Sequence, residues 1–193
     1  MLRLCYVLPS YDPDTATHLL HLYELLQRVD ERVDLNLLVA TSSGSRPYLR
    51  GNVTVIGTSN RLIKALRFLI VLTTSYIRGY RAFYSHYHTL SALWGSTLCR
   101  IFGGRTYVWC CVNHERYFSR WRLRWRDLNR KLLVDIPILL SLKWAQRVVV
   151  CSDHMRIHLT ETFGIRPERV VVFEHWVNPL RYRPLPDMRR PVR

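Results

Sequence analysis

The stretch Gln146–Pro184, QRVVVCSDHMRIHLTETFGIRPERVVVFEHWVNPLRYRP, leaves the chain few choices of fold. Arg147–Cys151 is a short β-branched run of the kind that fills a fully buried parallel strand. Ser152 stands where a helix would start, and Asp153 in the first turn suits the helix dipole. Met155, Leu159 and Thr162 or Phe163 recur at three- and four-residue spacing, which makes one helix face apolar. Gly164 is placed to cap that helix, and Pro167 cannot continue it. Arg169–Phe173 is a second β-branched run. A strand, a helix and a strand in so few residues form a parallel βαβ unit. The Pro-rich tail that follows (Pro179, Pro184, Pro186, Pro191) reads as a linker, so residues 1–174 are expected to be one domain and 175–193 the start of a connection.

The rest of the chain repeats the alternation. Strands are expected at Leu2–Leu8 (ended by Pro9), Val33–Ala40, Val53–Ile56, Ala82–Ser85 and Thr106–Cys111. Between them lie a helix with Leu19, Leu22, Leu26 and Val29 on one face, a Leu/Ile-rich helix over Arg61–Arg78, and a helix over His88–Phe102 closed by Gly103 and Gly104. A long helical stretch spans Ser119–Trp144, with a bend expected before Pro137. Seven strands alternating with helices predict an α/β fold: a doubly wound, mostly parallel, Rossmann-like sheet. Such sheets bind ligands outside the carboxyl ends of their strands. That singles out the loops Pro9–Thr17, Ser85–Thr89, Val112–Phe118 and Ser152–His154.

Composition narrows the function. The net charge is +15, and of 29 basic residues only Lys64, Lys131 and Lys143 are lysines. Such a balance attracts phosphates or an anionic membrane surface, although a genome biased toward Arg codons gives the same excess. Five cysteines without a CxxC spacing read as small core residues in a reducing, cytoplasmic compartment. MLRLCYVLPS is too short for a signal peptide, and apolar runs such as Phe68–Leu72 fall far below the ~20 residues of a membrane span. The chain is therefore expected to be soluble, or peripheral to the inner face of the membrane.

Familiar blocks appear in the same loops. LCYVLPSYDPDTATHLLHLYELLQRV, RAFYSHYHTLSALWGSTLCRIFGGRTYVWCCVNHE, RVVVCSD and FEHWVNPLRYRP, in that order and spacing, resemble the N-terminal domain of the family 4, GT-B fold retaining glycosyltransferases. The resemblance covers nearly the whole chain. It implies that this domain binds the acceptor and that a second, absent domain binds the nucleotide sugar, which serves as co-substrate with no further cofactor. A separate donor-binding subunit is then an expected partner. Two places depart from the family pattern. Asp12-Pro13-Asp14-Thr15-Ala16-Thr17 stands where a Gly–Gly pair lets backbone approach donor phosphates, and His175-Trp176-Val177-Asn178 replaces Asn-Gly-Val-Asp.

The resemblance implies that His114, in Asn113-His114-Glu115, contacts the donor sugar or its phosphate, where an imidazole can donate to developing charge. Asn113 and Glu115 join it as acceptor-side candidates. His18 begins the first helix on the cleft side, with Thr17 before it, and is either a ligand contact or a plain helix residue. Asp12 and Asp14 either accept from acceptor hydroxyls or serve turn and N-cap chemistry. His86 and His88 lie two apart but lack a third ligand at metal spacing, so acceptor contact or N-terminal helix polarity is expected rather than zinc. Ser152 and Asp153 are the donor-facing candidates. Phe118, Trp121, Trp125, Leu128 and Leu132 make an apolar stripe flanked by Arg120, Arg122, Arg124 and Arg126. That pattern suits either an interfacial membrane helix or a helix packed on the sheet, and the basic Arg61–Arg78 helix adds to the membrane case. Nothing forms a nucleophile–base set, a P-loop or GxGxxG. No nucleic-acid motif accompanies the charge, so nucleic acid is not an expected partner. The alternative to a transferase half is a non-catalytic, membrane-associated regulatory or targeting subunit with the same fold.

Overall fold

The computed structural model describes residues 1–11, 20–42, 51–57, 60–86, 88–111 and 135–174. These form one seven-stranded sheet. Its strands are β1 (Arg3–Tyr11), β2 (Asp34–Ser42), β3 (Asn52–Val55), β4 (Ala82–His86), β5 (Arg105–Trp109), β6 (Arg147–Val150) and β7 (Val170–Val172). The order across the sheet is β3-β2-β1-β4-β5-β6-β7, and every neighbouring pair is parallel. The helices are α1 (Leu20–Asp30), α2 (Arg61–Ile77), α3 (Thr89–Phe102), α4 (Ile136–Trp144) and α5 (Asp153–Phe163), with a 3₁₀ turn at Pro167–Arg169. The doubly wound Rossmann-like sheet expected from the alternation is the one observed.

Right-handed crossovers explain the layering. The chain moves outward from β1 to β2, so α1 lies on one face, where Leu22, Tyr23 and Leu26 pack on Tyr6, Leu8, Leu35, Leu37 and Val39. From β3 it crosses back and then runs through β4 to β7, so the later helices share the other face. There Phe68, Leu72 and Tyr76 of α2 cover Cys5, Val7, Leu38 and Phe83. Leu142 of α4 and Met155, Leu159 and Phe163 of α5 cover Val108, Val148, Val150 and Val170. Alternate residues of each strand feed the two cores, and the central strands are apolar on both sides.

The βαβ unit folds as its sequence dictates. Ser152 Oγ accepts from Met155 N at 3.3 Å, and Gly164 adopts φ 63°, the left-handed C-cap. Gly164 N then reaches the Thr160 carbonyl at 3.1 Å and Ile165 N the Leu159 carbonyl at 3.3 Å. After the 3₁₀ turn, the Arg169 guanidinium donates to the carbonyls of Leu142 at 3.2 Å and Lys143 at 2.9 Å, and to that of Ala145. A cation thus satisfies the carbonyl end of α4.

Most strand ends shift by one or two residues from expectation, and three boundaries differ in a way that matters. Pro9 does not end β1, which runs to Tyr11 with Ser10 opposite Thr41 and Tyr11 opposite Ser42. Pairing of β1 with β4 stops at Val7–Ser85. Beyond that point one side of β1 is an edge, where a missing N–H costs nothing. His88 precedes α3 rather than opening it. Pro137 sits in the first turn of α4, and the part of the expected Ser119–Trp144 stretch before Asp135 lies outside the described residues.

Candidate functional site

The sheet reverses its winding between β1 and β4, and the carboxyl ends of this adjacent pair frame the crevice of a doubly wound fold. His86 ends β4 there, 5% exposed. Its Nδ1 lies 3.1 Å from Tyr6 Oη of β1. Its ring stacks on Trp109 of β5 with centroids 5.0 Å apart. Tyr6 stacks on Tyr84 at 4.6 Å, so one sheet face carries an aromatic run across three strands. A cavity of about 350 Å³ opens between this run and α1, with Leu22, Leu25 and Val29 opposite Tyr6, His86 and Trp109. A flat ring surface beside a fixed imidazole suits a ligand with an apolar face and a few polar edges.

His88 is tied into the fold. As N-cap of α3 its Nδ1 accepts from Ser91 N at 3.2 Å, and its ring lies 4.2 Å from that of Phe68. Burial, reinforced by the Lys64 charge, lowers its pKa to about 4, so the ring is neutral at physiological pH and free to accept. Of the two roles open to it, helix polarity is the one its bonds describe. Ser85 and Ser91 complete the turn, each hydroxyl donating to the His88 carbonyl at 2.8 Å.

Ser152 and Asp153 sit at the same edge, after β6. Ser152 caps α5, and Asp153 pairs with Arg156 at 2.8 Å with most of its side chain exposed. The N-terminal end of α5 therefore points its free amides toward the carboxyl edge. Asp12, Asp14, Thr17 and His18 lie outside the described residues, as do Asn113, His114 and Glu115 and the stripe with Trp121, Trp125, Arg120, Arg122, Arg124 and Arg126. The flanking strands end at this edge: β1 at Tyr11 and β5 at Trp109.

One pair escaped sequence reading. Trp109 stands opposite Val149, and Cys110 N donates to the Val149 carbonyl at 2.8 Å. One step further, Cys111 and Cys151 are neighbours, and burial together with the Cys151 thiol pushes the Cys111 thiol well above its ordinary range. The other three cysteines, Cys5, Cys99 and Cys110, are buried as small core residues. Forty residues separate the partners, and only the strand register brings them together. Among the described residues no group of three or more His, Cys, Asp or Glu is arranged to hold a metal ion, and no helix is long and apolar enough to cross a membrane.

Solved structures share this architecture. Anabaena HepE, crystallised with UDP and glucose, superposes with TM-score 0.62 at 13% identity, over 92% of this chain and 45% of that one. The Neisseria meningitidis UDP-GlcNAc 2-epimerase bound to UDP-GlcNAc gives 0.59 at 8% identity, over 90% and 47%. A glycosyltransferase from Rickettsia africae gives 0.55 at 11% identity, over 92% and 44%. The chain thus spans about half the length of the structures it matches, and at these identities the likeness is one of fold, the GT-B type. No curated protein sequence matches it. The sequence itself, over residues 16–181, matches Glycosyltransferase Family 4, and the chain belongs to that family.

Proposed function

We propose that this chain is the acceptor-binding half of a glycosyltransferase, which moves a sugar from a nucleotide sugar to a saccharide or a lipid-linked saccharide. The observation that carries the reading is the family match across residues 16–181 on a chain that spans about half the length of the GT-B structures sharing its fold. Residues 1–174 make this half, and 175–193 lead toward a donor-binding domain, joined covalently or as a separate subunit. The acceptor lies over the carboxyl edge, against His86 and the loops with Asp12, Asp14, Thr17, His18, Asn113 and Glu115. His114 meets the sugar undergoing transfer and donates to the charge that builds on its leaving phosphate. Ser152 and Asp153 border the donor side, where the free amides of α5 favour an anion. The nucleotide sugar is a co-substrate, and no cofactor is invoked. The site of action is the cytoplasmic side of a membrane, where a lipid-linked acceptor is met.

A transfer assay with UDP-sugars and saccharide or lipid-linked acceptors tests the reading, run with and without a donor-binding domain. Turnover is expected only when both halves are present, falling about 10²–10³-fold for His114→Ala. Robust turnover by the isolated chain overturns the assignment of a half.

A further inference from the structure

Helix α2 is built inside out. Its inner stripe, Phe68, Leu72 and Tyr76, is buried in the core. Its outer stripe is apolar as well: Leu62 is 83% exposed, Leu66 58%, Ile70 55% and Ile77 78%, with Ile63 beside them at 46%. Residues 62, 66, 70 and 77 follow helical spacing, so they share one face of a 17-residue helix about 25 Å long at 1.5 Å per residue, with Thr73 and Thr74, whose hydroxyls donate back to the Leu69 and Ile70 carbonyls, between the last two. The end of α3 lies beside the C-terminal end of α2 and is apolar and exposed too. Tyr76 Oη reaches the Phe102 carbonyl at 2.7 Å, and Phe102 and Ile101 are 64% and 65% exposed. A helix that needed only to cover a sheet would carry polar residues on this side, because one apolar stripe suffices for packing. An exposed apolar surface of this extent marks a docking site.

The charge around it selects the occupant. From Leu35 to His114 the chain carries nine Lys or Arg and no Asp or Glu. Eighty residues without a carboxylate, spanning β2 to β5, are an extreme even for a basic protein. Lys64, Arg67 and Arg78 stand on α2 and at its end, and the Arg67 guanidinium stays near the surface, donating to the Ile56 carbonyl at 3.2 Å. A protein partner with an apolar groove would meet the stripe but not this one-signed field. An anionic bilayer surface meets both: the apolar line sinks to the level of the acyl chains, and the basic flank lies among phosphates.

We propose that the outer face of α2, with the exposed Ile101 and Phe102 of the neighbouring α3, is the surface by which this chain lies on anionic membranes. The proposal deepens the membrane placement given above without resting on the transfer chemistry, since vesicle binding requires no sugar acceptor.

Co-sedimentation of the chain with vesicles of phosphatidylcholine alone, or with a third phosphatidylglycerol, tests it. Binding to the anionic vesicles is expected to exceed binding to the neutral ones at least tenfold, and to fall several-fold in 0.5 M salt. Leu66→Glu/Ile70→Glu is expected to lower binding at least tenfold, and the milder Leu62→Ser several-fold, each with an unchanged thermal unfolding midpoint because these side chains bear on no core. Equal binding to both vesicle types, or undiminished binding by the folded variants, overturns the proposal. So does a concentration-dependent dimer, abolished by the same substitutions, in a chain that does not pellet with vesicles; the face would then be an interface between copies.

Discussion

Helices α2 and α5 cover the same face of the sheet and look alike from within. Phe68, Leu72 and Tyr76 on one, and Met155, Leu159 and Phe163 on the other, are buried at four-residue spacing. From outside they differ entirely. The outer face of α5 carries Asp153, Arg156 and Glu161, with Ile157 alone among them. That of α2 carries Leu62, Leu66, Ile70 and Ile77. The fold specifies only the inner stripe, so the outer one is free to record what the surface meets. On α5 it records water.

The sharpest way to break this comparison is to truncate one leucine on each helix, an inner one on α5 and an outer one on α2. Leu159, fully buried, becomes Ala at an expected cost of about 2–5 kcal/mol, read as a shift in denaturant midpoint. Leu66→Ala is expected to fall within about 0.5 kcal/mol of the parent. A comparable loss at Leu66 would mean that the outer stripe of α2 is core after all.

Next comes pH. His88, packed against Phe68 of α2, titrates near 4 when folded and near 6.5 when unfolded. Between these values the unfolded chain binds more protons, so stability is whole above about pH 6.5 and is lost as pH falls toward 4. The loss amounts to at most about 3–4 kcal/mol, at 1.36 kcal/mol per pH unit. His88→Asn keeps a capping acceptor and removes the titration, so its unfolding midpoint should lose this slope. An unchanged slope would place the titrating group elsewhere.

Smaller still is the cap of α5. Ser152→Ala removes the acceptor for Met155 N and is expected to cost about 1 kcal/mol in chemical denaturation, with Ser152→Asn restoring most of it. Asn60 does the same service for α2, accepting from Leu62 N at 3.0 Å and Ile63 N at 3.2 Å, and Asn60→Ala should cost about as much. Unequal costs would show that the two helices differ in more than their outward faces.

The sheet was legible because its strands are β-branched runs separated by helices with one clear stripe, and because parallel pairing demands that alternation. Pro9 misled because a proline stops a strand only where its N–H has a partner to lose, and that depends on how far β4 extends alongside. His88 left two roles open because capping is usually the work of Ser, Thr, Asp or Asn. The contact of Cys111 with Cys151 needs the strand register, which no local pattern gives. In α2 the periodicity was visible but its direction was not: a helix apolar on both sides does not say which side meets the sheet. The loop candidates around Asp12 and His114 carry no repeating pattern, so sequence alone names them without arranging them.

The position of β1 has a consequence for synthesis. β1 leaves the ribosome ahead of both its neighbours, and it is held between them, β2 on one side and β4 on the other. Its pairing with β2 joins Arg3 to Asp34, but its other neighbour joins Leu4 to Ala82. At about 5–20 residues per second, the nascent chain carries a two-stranded fragment with one bare flank for some 2–10 s. During that interval the exposed strand is open to chaperones or to another nascent copy, until Phe83 and its neighbours emerge to close it.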